Sequence, residues 1–148
     1  MAGRRLPGTA LGVRRGRRSD LPQLRALLGA EATARLERML RRLLADLRTD
    51  VYVAEDAAGE IVGVVSITYA RSLVRGGLAA VLDGARAEGA LSAALLADLV
   101  GFAEARARQR GCRRLTAWVG PEDAELRAAL LARGYRAGEA FTTELGAA

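Results

Sequence analysis

Proton transfer and nucleophilic attack must be built here from a short list of side chains. The sequence contains no histidine, no lysine and no asparagine. Without histidine, Ser-His-Asp and Cys-His catalysis are excluded, as are the common mixed His/carboxylate zinc sites. Without lysine there is no P-loop lysine and no Schiff base with pyridoxal phosphate. Asp, Glu, Tyr, Ser and Thr acting through water remain, with the single cysteine, Cys112. One cysteine can form neither an internal disulfide nor a multi-cysteine zinc site, and no metal is expected. Cys112 has only Arg113 beside it in sequence, which cannot take a proton, so it reads as a small buried residue.

The stretch from Leu78 to Gly111 is where such chemistry would gather. A short apolar strand, Leu78 to Asp83, is followed by a small-residue loop, Gly84 to Gly89, and then a long amphipathic helix from Ala90 to Arg110. The start of a helix leaves backbone N–H groups without partners, and the macrodipole adds positive potential, so an anion is welcome there. The alternative is that Gly84 and Gly89 only turn the chain. Asp83, at the end of the strand, is the carboxylate best placed to act as a base; its alternative role is to cap the following turn. Glu122 and Asp123 stand at a helix start and read as dipole partners.

The other elements follow from periodicity and punctuation. Leu11 to Arg17 reads as a first strand. Ser19 or Asp20 then caps a helix with Pro22 in its first turn and Gln23 at capping-box spacing, ending at Gly29. A second helix spans 32–48, with Leu36, Met39, Leu40, Leu43, Leu44 and Leu47 on one face. Residues 51–55 and 61–69 are β-rich runs around a turn in which Gly59 can supply positive φ. The long helix is expected to bury Leu91, Leu95, Leu99 and Phe102. Arg114 to Val119 forms another strand, a helix runs from Gly120-Pro121 to Arg133, and Tyr135 to Leu145 reads as a last strand or hairpin arm.

Charge is unevenly distributed. Six arginines precede the first acid, Asp20, and the remaining 17 match the 17 acids. The positive excess is therefore expected in an N-terminal basic arm, with residues 1–10 flexible and 11–148 forming one domain. A nucleic-acid binder spreads its charge over a folded face, so nucleic acid is not expected as a partner. No apolar run approaches the ~18 residues of a membrane span, and the basic N-terminus lacks the apolar centre of a secretory signal. No membrane partner is expected, and the protein reads as cytoplasmic. The preference for arginine over lysine matches a GC-rich bacterial genome.

The expected order is β-α-α-β-β-β-α-β-α-β, an α/β (α+β) arrangement with a mixed central sheet flanked by helices. In that order the sequence resembles the GNAT superfamily of N-acetyltransferases from Leu11 onward. Val13 to Leu24 resembles the family's opening strand and its Asp-Leu-Pro helix start. Val53 to Val64 resembles the central hairpin, Arg110 to Leu115 the approach to the fifth strand, and Leu131 to Tyr135 the closing helix with its Gly-aromatic step.

The resemblance implies acetyl-CoA as co-substrate and an amine of a small molecule or protein as acceptor; a homodimer is compatible with it. It implies a cofactor site at Val81, Leu82, Arg86, Gly89, Ala90, Leu91 and Ser92, because the family's (Gln/Arg)-x-x-Gly-x-(Gly/Ala) loop is met in part by Arg86-Ala-Glu-Gly89-Ala-Leu91. A second register ends at Ser92. Asp83 is the implied catalytic base, and Tyr69 and Trp118 are implied substrate contacts, with core packing as the alternative for each.

Three departures stand out. Gly84 to Ala87 interrupts the strand that should pair with the pantetheine arm. Leu130-Leu131 replaces the tyrosine often used as general acid in the last helix, and Pro121-Glu-Asp replaces an asparagine at that helix start. The alternative reading is a degenerate GNAT-fold protein without normal acetyl-CoA use, serving as a binding subunit or running another reaction in the same cleft.

Overall fold

The computed structural model describes residues 4–6, 11–29 and 34–146. Six strands form one sheet in sequence order: β1 (Arg4–Arg5), β2 (Gly12–Arg15), β3 (Thr49–Glu55), β4 (Ile61–Arg71), β5 (Leu78–Ala87) and β6 (Leu115–Ala117). All neighbours are antiparallel except β5 and β6, which are parallel. The helices are α1 (Leu21–Leu28), α2 (Ala34–Ala45), α3 (Ser92–Gln109) and α4 (Ala124–Ala132), with a 3-10 turn at Arg18–Asp20.

The sheet has a core on each face. Val51 and Val53 on β3, with Ile61 and Val64 on either side of an irregularity in β4, face α1, where they meet Leu24 and Leu27. Ala54, Val65, Ile67, Ala80, Leu82 and Ala85 line the other face and meet α3. Leu95, Leu96, Leu99, Val100, Ala103 and Ala107 supply the buried stripe of α3 at helical spacing. Phe102 packs edge-to-face on Tyr52, ring centroids 4.8 Å apart. Leu91 lies before the helix and is 77% exposed, so it is not part of that stripe. On α2, Leu40 is buried and Met39 exposed; the helix ends at Ala45, short of the expected stripe's Leu47, which is also exposed.

Local chemistry explains several boundaries. Asp20 does not cap α1; its carboxylate turns back to accept bonds from the Arg14 guanidinium (2.8 Å) and the Arg17 amide (2.7 Å). Gln23 does not complete a capping box either, since its Oε1 accepts the Ile61 N–H at 2.9 Å. In the β3–β4 turn, the Asp56 carboxylate accepts the amides of Ala58 and Glu60, and Gly59 takes φ +80°.

Three expectations are corrected. Residues 1–3 and 7–10 of the expected arm lie outside the described residues, but Arg4–Arg5 pairs with Val13 and Gly12, and Leu6 is buried in the core. The strand after Leu78 does not stop at Asp83: it runs to Ala87, because the long β4 offers Ser66 to Gly63 as partners for Gly84 to Ala87. Residues 135–146 form no strand; after the Tyr135 N–H donates to the Leu130 carbonyl they run without regular structure, with Phe141 and Leu145 exposed.

The seat of α3 on the sheet depends on Gly63. A Cβ there would lie 3.0 Å from Leu99 Cδ1 and 3.2 Å from Leu95 Cδ2. Gly63→Ala is expected to cost about 1–2 kcal/mol, overpacking outweighing the gain from restricting the unfolded chain. Urea unfolding with an unchanged m-value would show this.

Candidate active site

The site is built where β5 parts from β6. The two strands pair only at Ala80–Leu115, Val81–Thr116 and Leu82–Ala117, and the Trp118 N–H closes the ladder on the Leu82 carbonyl at 3.0 Å. Beyond that point β6 leaves through the Gly120–Asp123 turn into α4. β5 bends as it leaves: Ile67 pairs with Leu82 and Ser66 with Gly84, so Asp83 is an extra residue, a bulge. A bulge bends its strand and increases its twist, which carries β5 away from β6. From Asp83 to Ala87 the outer edge of β5 has no neighbouring strand among the described residues. Alternate backbone N–H and C=O groups along that edge are open to an extended ligand.

The edge leads directly into the start of α3. Gly89 turns the chain at φ +96°, and α3 begins at Ser92 with no side chain capping its first turn. A cavity of about 260 Å³ lies between the end of β5 and the start of α4, with Ala85, Arg86, Glu122, Asp123 and Glu125 in its wall. Arg86 is the cation of that wall, 3.9 Å from the Asp123 carboxylate. The Ser92 hydroxyl donates to Glu125, 3.0 and 3.2 Å from its two oxygens. The free strand edge and uncapped helix start fit an extended arm ending in a phosphate. Glu125 and exposed Glu88 oppose the phosphate electrostatically.

The sequence-identified residues separate into three groups. Asp83, Arg86, Gly89, Ala90, Leu91, Ser92 and Trp118 all lie along this edge, turn and helix start. Asp83 is on the bulge, half-buried, with Oδ1 shielded from solvent and without a hydrogen-bond partner. Trp118 is 63% exposed beside the fork, which removes the core alternative.

Val81 and Leu82 lie before the fork. Their backbone is committed to β6, and the Leu82 side chain is fully buried, so neither has a free edge to offer a cofactor. Tyr69 is elsewhere. It sits opposite Ala80 on β4, buried, donating its hydroxyl to Asp50 Oδ2 at 3.0 Å beneath Arg110. Burial and the Asp50 carboxylate push its phenol well above the ordinary tyrosine range. It is a structural residue at the opposite end of the sheet.

Other proton donors fail on position and acidity. Burial pushes the Cys112 thiol up, and its charged neighbour is Arg110, at the far end of α3. Tyr135 is pushed up to about 12 by burial and by Glu104, and its hydroxyl is enclosed without a partner. Leu130 is buried in the core and Leu131 points to solvent, so neither offers the proton donor that the resemblance would place on this helix. Glu122 and Asp123, read in sequence only as dipole partners, are wall residues of the cavity together with Glu125, which the sequence did not single out; the Gly120-Pro121 break marks where they would gather. Among the described residues no cluster of His, Cys, Asp and Glu could hold a metal ion, and no helix is long and apolar enough to cross a membrane.

No protein-family model and no curated protein matches this chain. Solved structures do. An aminoglycoside antibiotic 6'-N-acetyltransferase from Acinetobacter baumannii superposes with TM-score 0.75 at 16% identity, covering 92% of this chain and 99% of that one. A ribosomal-protein-alanine N-acetyltransferase from Brucella melitensis gives TM-score 0.75 at 17% identity, covering 92% and 100%. A protein from Bacillus halodurans described as a transcriptional regulator gives 0.76 at 20% identity, covering 91% and 99%. The fold is that of the GNAT acetyltransferases. At these identities the likeness fixes the architecture, and the chemistry must be argued from the site.

The charges at the α3 start make a direct prediction. A phosphate-bearing ligand at this helix start would bind several-fold more tightly in Glu125→Gln and about as much more weakly in Arg86→Ala; calorimetric titration of both variants checks the signs.

Proposed function

We propose that this protein is an N-acetyltransferase that uses acetyl-CoA to acetylate an amine of a small molecule or protein. One observation carries the reading: the open β5 edge from Asp83 to Ala87 runs without interruption into the uncapped start of α3. An extended pantetheine arm can hydrogen-bond along such an edge while its diphosphate lies on the helix amides and Arg86. Acetyl-CoA supplies the activated acyl group as a thioester. In the transfer, the amine nitrogen bonds to the acyl carbon, the carbon–sulfur bond breaks, and the thiolate leaves.

The chain's own contribution is placement and one proton. Asp83, on the bulge beside the fork, takes the proton from the acceptor ammonium directly or through one water, which frees the nitrogen lone pair. Trp118 lines the acceptor side. Because no tyrosine or thiol is at hand to protonate the leaving sulfur, that proton comes from solvent, and most of the rate arises from orienting the two reactants. Substrates and product in this reading belong to the cytoplasm.

A second reading keeps the scaffold without acetyl-CoA, and Glu125 on Ser92 favours it, since a carboxylate already occupies the field of the helix start. Thermal unfolding with acetyl-CoA, CoA and ADP separates the two. A ligand that binds the folded state raises the midpoint with its concentration. The transferase reading expects a saturating rise with acetyl-CoA, and in Asp83→Asn an unchanged rise with amine acetylation reduced by about 100-fold. No rise at millimolar acetyl-CoA, in either the native chain or Glu125→Gln, sinks it.

A further inference from the structure

The positive charge of this protein is not confined to its N-terminal arm. Antiparallel pairing brings together the end of β2, the start of β3, the end of β4 and the start of β5, and the parallel β6 starts there too. Each of those strand ends carries arginine. The Gly16 amide bonds the Val51 carbonyl, setting Arg17 beside β3; the Arg48 carbonyl accepts the Tyr69 amide; Arg71 pairs with Leu78; the Arg114 carbonyl accepts the Ala80 amide. Arg75 lies in the loop between β4 and β5. From β2 to β6 this row crosses four strand spacings, about 19 Å.

Little neutralises it. Arg71, Arg75 and Arg114 are exposed and have no carboxylate partner among the described residues, and exposed Arg17 has only Asp20, which accepts its amide, nearby. Arg48 is 81% exposed and reaches only Asp46, at 3.5 Å. Behind the row a single buried carboxylate, Asp50, serves three guanidinium groups: Arg110 at 3.0 Å, Arg15 at 3.1 Å and Arg106 at 3.9 Å. Arg15 and Arg106 flank the Tyr52 ring, Arg110 covers that of Tyr69, and Arg106 Nε is buried without a partner. So many like charges on one rim repel one another, and a polyanion laid along them would relieve that repulsion.

We propose that this arginine rim binds the phosphate backbone of a nucleic-acid duplex without regard to sequence. The row is linear and exposed, and its ~19 Å length faces a stretch of duplex carrying one phosphate charge per ~1.7 Å of axis. The reason against nucleic acid in the sequence, charge held on an arm instead of a folded face, does not apply once the strand ends are assembled. A membrane fits less well. Leu47 beside Arg48 and Leu73 and Val74 at the loop tip are the exposed large apolar residues of this rim, less apolar area than the single acyl chain that by itself holds a protein only marginally. The rim is separate from the cleft, whose wall is acidic, so the inference does not depend on the acetyl-transfer reading.

Fluorescence anisotropy with a labelled random-sequence duplex of about 20 base pairs, titrated from about 50 mM salt upward, tests it. The expected result is a dissociation constant on the order of 1 µM at low salt and a log K against log salt slope between about −3 and −5. Arg71→Glu with Arg114→Glu should weaken binding at least tenfold with an unchanged unfolding midpoint. Arg127→Glu on α4, and Arg4→Ser with Arg5→Ser, should each leave it within twofold. Absence of binding at low salt would overturn the proposal. So would loss of affinity on changing Arg4 and Arg5 alone, or binding to phosphatidylserine vesicles with none to the duplex.

Discussion

A backbone amide or carbonyl taken from water must find a partner, and on the outer edge of β5 that requirement is met only as far as Leu82. Two local features cause the break. β6 is three residues long before Gly120 turns it away, and Asp83 is inserted into β5 without a partner on β4. From that one discontinuity come the open edge, the cavity between β5 and α4, and the exposed position of Trp118. The inner edge of β5 stays bound to β4 to Ala87 and holds the open side rigid.

Packing fixes where the edge leads. α3 lies across β4 and β5 because Gly63 leaves room for Leu95 and Leu99, and because the helix turns small residues, Ala103 and Ala107, to the sheet at its far end. Its start is therefore delivered to the end of β5 and its arginine-rich end to the opposite rim. The two ends differ in charge: Glu88, Glu122, Asp123 and Glu125 surround the helix start, while at the other end the buried Asp50 is shared by three arginines. Truncating Asp50 would leave those guanidinium groups facing one another around a buried site, so it is kept by its neighbours as much as it keeps them.

Element order was legible in the sequence because the strong signals are local. The alternation of β3 and β4, the Asp56–Gly59 turn and the leucine spacing of α3 each appear where pattern and turn chemistry place them. The end of β5 was not. Gly84-Ala-Arg-Ala87 has poor strand propensity and reads as loop, yet β4 supplies the pairing that overrides propensity. Asp83, Arg86 and Gly89 could be singled out as candidates because their types suit the chemistry at a strand-to-helix step. Tyr69 was misplaced because a tyrosine at a strand end carries no mark of which sheet end it occupies; its partner Asp50 lies on another strand. The rim was invisible for the same reason, since its arginines are far apart in sequence and meet only through strand pairing.

The central claim is that the outer edge of β5 and the first turn of α3 are one continuous ligand track. Amide hydrogen exchange, with and without saturating acetyl-CoA, addresses it most directly, because exchange reports backbone protection residue by residue. The account predicts slowed exchange confined to alternate amides of 83–87 and to 89–94, with β1 to β3 unchanged. Protection absent from that track, or concentrated at the arginine rim, would contradict it.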